Sequence, residues 1–187
     1  MRSFVQRYRF LIGLTLGSLS VTMADTTARS ADGMATAPLQ AAPQAMVYYR
    51  LVNAAHGVHW SLDIRNDDAL NNQPVLAPSG NFSGQYWRFT RFGDGYYRMT
   101  TLWLGEQRSL DIINDGRTDA TAVLADSAHV SGQQWKITPL GDGSVRLTTR
   151  WRGDEMALGV SGEGTAPGQL MLVRADGAEA QRWKLLR

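Results

Sequence analysis

Cysteine is absent from this 187-residue chain, and histidine occurs only three times. Without thiols no disulfide can support a small domain, and thiolate metal sites and cysteine nucleophiles are excluded. Three histidines, two of them the near neighbours His56 and His59, give a transition metal little to bind and predict no metal site and no cofactor. Long hydrophobic runs are missing as well. The most apolar stretch, Phe10 to Val21, has 12 residues, whereas a membrane-spanning helix takes about 20. Arg2, Arg7 and Arg9 precede that stretch, and Thr22-Met23-Ala24 places small residues at the −3 and −1 positions of a cleavage site. Residues 1–24 therefore read as a signal peptide. No lipobox cysteine follows, so the expectation is a secreted or periplasmic protein with no membrane attachment after cleavage.

Charge of one sign is also lacking. The chain carries 19 Lys+Arg and 17 Asp+Glu, and setting aside the three leader arginines leaves 16 against 17. The basic pI of about 9.1 thus belongs largely to the leader. No basic block remains that would grip a phosphate backbone, which excludes nucleic acid as the expected partner. Residues 25–46 are rich in Ala, Thr, Ser and Pro, with little to bury, and read as a disordered tether. The globular unit is expected from 47 to 187.

What that unit does contain is a repeat. Gln85-Tyr86-Trp87, Gln133-Gln134-Trp135 and Gln181-Arg182-Trp183 recur every 48 residues. The same step aligns Tyr49-Arg50-Leu51 with Tyr97-Arg98-Met99 and Val145-Arg146-Leu147. It also aligns Ser61-Leu62-Asp63-Ile64 with Ser109-Leu110-Asp111-Ile112 and Ala157-Leu158-Gly159-Val160. Such self-similarity marks a unit that buries its apolar face only against copies of itself. Each copy holds four short segments of alternating polarity, separated by Gly, Asn, Asp and Pro, which is the pattern of half-buried strands. Gly93-Asp94-Gly95 and Gly141-Asp142-Gly143 are hairpin turn signals where repeats meet. Three repeats of four strands give an all-β fold of twelve short strands. Closing the sheet, with the last strand pairing the first, would remove its exposed edges.

Three in-phase Gln-x-Trp units, two of them preceded by a Leu-Asp-Ile strand, resemble the ricin B-type β-trefoil lectins over about residues 47–187. The resemblance implies a six-stranded barrel capped by a hairpin triplet, with up to three shallow sugar pockets outside it. It also implies that Trp87, Trp135 and Trp183 fill the core, while Gln85, Gln133 and Gln181 hold neighbouring loops. The family's sugar-contacting carboxylate falls on Asp63 and Asp111, and on Gly159 in the third repeat, so at most two sites are expected. An ionised carboxylate accepts charge-assisted hydrogen bonds from vicinal hydroxyls, and strand alternation directs both side chains outwards. The candidate carbohydrate-binding set is Asp63, Asn66 and Gln85 in the first repeat, with Asp111, Asn114 and Gln133 in the second.

This chain departs from the family in two respects. Gly84 and Gly132 stand where Asn often precedes the glutamine, and Val75-Leu76-Ala77 and Val123-Leu124-Ala125 offer no aromatic platform for a sugar face. Weak binding per site is the consequence. Asx-turn chemistry ending a strand is the structural alternative for both aspartates. Trp103 and Trp151, 48 apart in loops, either supply an exposed aromatic surface or cover the barrel mouth. Phe82 and His129 are further loop candidates. No Gly-x-Ser-x-Gly elbow, phosphate loop or paired-carboxylate arrangement points to catalysis. The reading is a non-catalytic, exported module whose partners are glycans or polysaccharide; the alternative is a β-trefoil that binds or inhibits a protein.

Overall fold

In the computed structural model the described residues are 43–44, 46–67, 71–117, 120–161 and 168–187. The signal peptide expected over residues 1–24 lies outside them, as does the expected tether, 25–46, apart from Pro43, Gln44 and Met46. Twelve strands follow: β1 (Tyr48–Asn53), β2 (Trp60–Arg65), β3 (Gln73–Pro78), β4 (Trp87–Gly93), β5 (Tyr96–Thr101), β6 (Arg108–Ile112), β7 (Ala122–Asp126), β8 (Trp135–Pro139), β9 (Val145–Thr149), β10 (Gly153–Ser161), β11 (Gln169–Arg174) and β12 (Trp183–Leu186).

Six of these strands close a ring. β1 pairs β4, β4 pairs β5, β5 pairs β8, β8 pairs β9, β9 pairs β12, and β12 returns to β1, all antiparallel. The expected pairing of chain ends is thus present, with Arg50 opposite Leu186 and Asn53 opposite Trp183. The register obeys the 48-residue step: Tyr49 faces Trp87, Tyr97 faces Trp135 and Val145 faces Trp183. Closure leaves no bare barrel edge on which another chain could add a strand.

The other six strands form three hairpins, β2–β3, β6–β7 and β10–β11. These touch in a triangle. Gln169 pairs with Val75, the Leu124 amide donates to the Asn72 carbonyl at 2.8 Å, and the Leu172 amide donates to that of Ala120 at 2.8 Å. Barrel and hairpin cap together make a β-trefoil.

The core is threefold because the sequence is. Leu51, Met99 and Leu147 lie in the barrel, Leu62, Leu110 and Leu158 in the hairpins, and Trp87, Trp135 and Trp183 join the two layers; all are 0% exposed. A buried indole N–H must find an acceptor. Each does so identically, donating to the carbonyls of Leu62, Leu110 and Leu158 at 3.0, 2.8 and 2.9 Å. Each tryptophan therefore fills the centre and fixes the hairpin of its own repeat to the barrel. Tyr49 and Tyr97 meet Phe89 edge-on, with ring centroids 5.9 and 6.4 Å away.

The chain enters this body through a left-handed residue. Met46 has φ 65°, and β1 begins at Tyr48 rather than at Met46, where the hydrophobic run starts. Just before it, Pro43 is buried and the Gln44 amide donates to the Tyr49 hydroxyl at 2.9 Å.

Candidate functional site

On β2, alternation sends Leu62 and Ile64 into the core and leaves Asp63 half-buried on the outer face. Its carboxylate is held at both oxygens. Oδ1 accepts from the Ile64 amide at 2.8 Å, and Oδ2 accepts from Gln85 Nε2 at 3.0 Å. The second repeat reproduces this on β6, where Asp111 Oδ1 accepts from the Ile112 amide at 2.7 Å and Oδ2 from Gln133 Nε2 at 2.9 Å.

The glutamines themselves are saturated. Gln85 also donates to the Pro78 carbonyl at 2.9 Å and accepts from the Gly80 amide at 2.9 Å. Gln133 donates to the Asp126 carbonyl, and accepts from the Ala128 amide and the Ser109 hydroxyl. With 0% and 1% exposure, neither glutamine presents an atom to solvent. Each ties a 3₁₀ turn (Ser83–Gln85 or Ser131–Gln133) to its hairpin and orients the aspartate in front of it.

The turns approach the carboxylates very closely. A Cβ built on Gly84 would fall 2.4 Å from Asp63 Oδ1, and one on Gly132 would fall 2.4 Å from Asp111 Oδ1. Any other side chain there would displace the carboxylate. The residues that depart from the family's common Asn thus have a local physical cause.

The third repeat reverses the arrangement. Gly159 replaces the aspartate and Ala180 replaces the glycine. A Cβ on Gly159 would meet Val173 Cγ2 at 2.8 Å and Gln181 Cγ at 3.4 Å. Gln181 instead donates to the Arg174 carbonyl at 2.7 Å and to Asp176 Oδ1 at 2.8 Å. Asp176 lies in the loop after β11, not on the hairpin face. Its role was missed in the sequence, although the loss of a carboxylate at Gly159 was a signal to look for a substitute.

Asn66 and Asn114 are exposed just beyond β2 and β6, and among the described residues neither bonds to the nearby aspartate. Opposite Asp63 and Asp111 on the neighbouring strands stand Val75 and Val123, both half-buried. The outer face of these two hairpins therefore joins one oriented carboxylate to one β-branched aliphatic side chain.

Among the other loop candidates, Trp103, Trp151 and His129 pack against neighbours. Trp103 and Trp151 are partly buried against the core, and the Arg152 guanidinium lies 4.2 Å above the Trp151 ring. His129 packs edge-on against Phe92 at 4.7 Å.

Residues 83–173 match the family described as Ricin-type beta-trefoil lectin domain-like. No curated protein matches the chain. Among solved structures it is similar to ThreeFoil, a designed threefold-symmetric protein, at 27% identity and TM-score 0.64, over 75% of this chain and 98% of that one. It is also similar to an exo-beta-1,3-galactanase from Clostridium thermocellum at 26% identity and TM-score 0.62, over 78% of this chain but only 31% of the enzyme. The ricin B-like lectin of Macrolepiota procera, solved in complex with lactose, shares the fold at 19% identity and TM-score 0.63, over 77% of this chain and 97% of the lectin.

Proposed function

We propose that this ricin B-type β-trefoil domain is an exported, non-catalytic carbohydrate-binding module with up to two weak sugar sites, at Asp63 and Asp111. The observation that carries the reading is the pair of outward carboxylates, each fixed by the next backbone amide and by a buried glutamine. An acceptor held this rigidly costs little ordering entropy when a sugar arrives. At Asp111 each oxygen already receives one hydrogen bond, and an ionised carboxylate has about four acceptor positions, so vicinal sugar hydroxyls can take the others. Gln85 and Gln133 act through the aspartates, Asn66 and Asn114 flank them, and Val75 and Val123 supply a small apolar contact in place of an aromatic platform. Affinity per site is accordingly low. Two sites on one rigid body still retain a polymer through effective concentration.

The test is binding of the purified chain to a glycan array and to insoluble polysaccharides, alongside the Asp63→Ala/Asp111→Ala variant. The reading expects retained glycans to be released by the double substitution while the melting transition persists. Equal retention by both proteins would refute the site assignment. Leu102, 51% exposed beside Trp103, favours a second reading in which the β5–β6 loop contacts a protein. Capture of a protein that resists competing sugar, and that is lost in Leu102→Asp, would support it.

A further inference from the structure

A second kind of site emerges where the threefold symmetry breaks. Arg88 and Lys136 are related by the 48-residue step, and each pairs with a carboxylate 18 residues further along. Arg88 binds Glu106, and Lys136 Nζ binds Asp154 with a closest distance of 2.8 Å. Lys184 is the third member of that series, and its partner position, reached across the barrel seam, is Val58. The backbone there keeps the symmetry. Arg88 faces Thr100, Lys136 faces Thr148 and Lys184 faces Val52, three equivalent registers. Gly57, Gly105 and Gly153, immediately before the partner positions, have φ of 71°, 60° and 60°. Position 58 therefore occupies the place of Glu106 and Asp154, but presents an isopropyl group that is 55% exposed. Among the described residues, Lys184 has no carboxylate partner.

The unpaired cation lines a surface cleft of about 220 Å³, together with Val52, Asn53, Val58, Asp142, Glu179 and Arg182. The groups around it differ in what they can still do. Arg182 is already engaged, by Asp142 at 3.3 Å and by the Gly177 carbonyl at 3.0 Å. Glu179 takes no side-chain hydrogen bond among the described residues, so it remains an acceptor. Asp142, the cleft's other carboxylate, already accepts from Arg182 and from the Ser144 amide and hydroxyl, so the cleft combines one available ammonium, one available carboxylate and an apolar wall. It is smaller than the roughly 300–1,000 Å³ of pockets that enclose drug-sized ligands, a size suited to a single sugar ring.

We infer that this cleft binds the carboxylate of an acidic monosaccharide unit, a hexuronate, with the ligand taking the place that Glu106 and Asp154 fill in the other repeats. Lys184 pairs with the uronate carboxylate, Glu179 accepts from ring hydroxyls, and Val58 packs on the ring's C–H face. The site lies at the seam between the first and third repeats, separate from Asp63 and Asp111. That its ligand is a sugar rests on the carbohydrate-binding reading; the carboxylate requirement comes from Lys184 and Val58 alone.

The experiment follows backbone amide shifts of the full chain during titration with methyl glucuronide, methyl glucoside and glucose 6-sulfate. The glucuronide is expected to move the amides of Gly57, Val58 and Lys184 and to bind about tenfold or more tightly than the glucoside, the scale of a charge-assisted hydrogen bond. Lys184→Ala should weaken it by a similar factor. Val58→Glu should do the same by restoring the internal pair, without loss of melting temperature, which separates site occlusion from misfolding. Asp63→Ala/Asp111→Ala should leave the glucuronide-induced shifts of Gly57, Val58 and Lys184 unchanged, so failure of those sites and failure of this one are distinguishable. Absence of glucuronide binding, equal binding of the glucoside or the sulfate ester, or an unchanged affinity in Lys184→Ala would overturn the inference.

Discussion

A β-carbon on Gly84 would lie 2.4 Å from Asp63 Oδ1, so these two residues, 21 positions apart, exclude any third atom between them. Gly132 and Asp111 repeat the relationship. The first prediction is that Gly84→Ala and Gly132→Ala each destabilise the fold by about 1–3 kcal/mol, as overpacking does. Urea denaturation measures this. A variant as stable as the parent would mean that the carboxylate moves aside freely, and with it the rigid acceptor on which the proposed sugar sites depend.

The third repeat offers the converse. Gly159→Asp alone places a carboxylate against Ala180, where no glycine makes room, and should be destabilising. Adding Ala180→Gly should recover part of the loss. The expected signature is a non-additive double-mutant cycle with a coupling of about 0.5–3 kcal/mol, the range for residues in contact. Strict additivity would show that the two positions do not compete for space.

Trp135 is fully buried and its indole N–H donates to the Leu110 carbonyl at 2.8 Å. Trp135→Ala removes both the volume and the donor, and should lower stability by about 3–5 kcal/mol. Trp87→Ala and Trp183→Ala should fall in the same range, because their environments are the same. An unchanged melting temperature for any one of them would contradict the packing described.

The Lys136–Asp154 pair makes a pH prediction. The hydrogen bond from Lys136, ahead of its Coulombic attraction, holds the Asp154 carboxyl below the usual carboxylate range. The same hydrogen bond raises the Lys136 ammonium above its ordinary 10.5. A depressed carboxyl stabilises the fold above its unfolded pKa and loses that contribution as pH falls through the folded value. A raised ammonium stabilises below its unfolded pKa and loses that contribution as pH rises through the folded value. The pair therefore contributes across the neutral range and fades at both extremes. Both side chains are about half exposed, at 43% and 58%, so the contribution stays under about 1 kcal/mol. Lys136→Met should cost that much at neutral pH and nothing once Asp154 is protonated. A cost independent of pH would assign the effect to packing of the lysine stem instead.

Much of this architecture was legible in the residues themselves. The 48-residue step places Trp87, Trp135 and Trp183 at equivalent points, and periodic apolar positions translate directly into equivalent core layers. Closure of β1 on β12 followed from the count of repeats and the cost of bare sheet edges. The site was legible only in part. Alternation alone points Asp63 outwards, but its bonds to Ile64 and Gln85 depend on how a 3₁₀ turn packs against a hairpin about twenty residues away. Nothing in periodicity reports such a distance. Asp176 replacing the missing carboxylate of the third repeat was hidden for the same reason, because it lies on a loop with no fixed phase. Lys184 was readable in principle, since stepping by 48 from Glu106 reaches Val58, but that step crosses the join between the chain's ends.

The pairing of Tyr48–Asn53 with Trp183–Leu186 also sets a timetable. During synthesis the earliest strand has to wait for about 130 further residues before its outer neighbour emerges. Contacts so distant along the chain are slow to form, because the entropy of a long loop is surrendered before any reward arrives. A nascent chain, or one clipped by only a few C-terminal residues, would therefore expose a hydrogen-bonding edge that the finished molecule never shows.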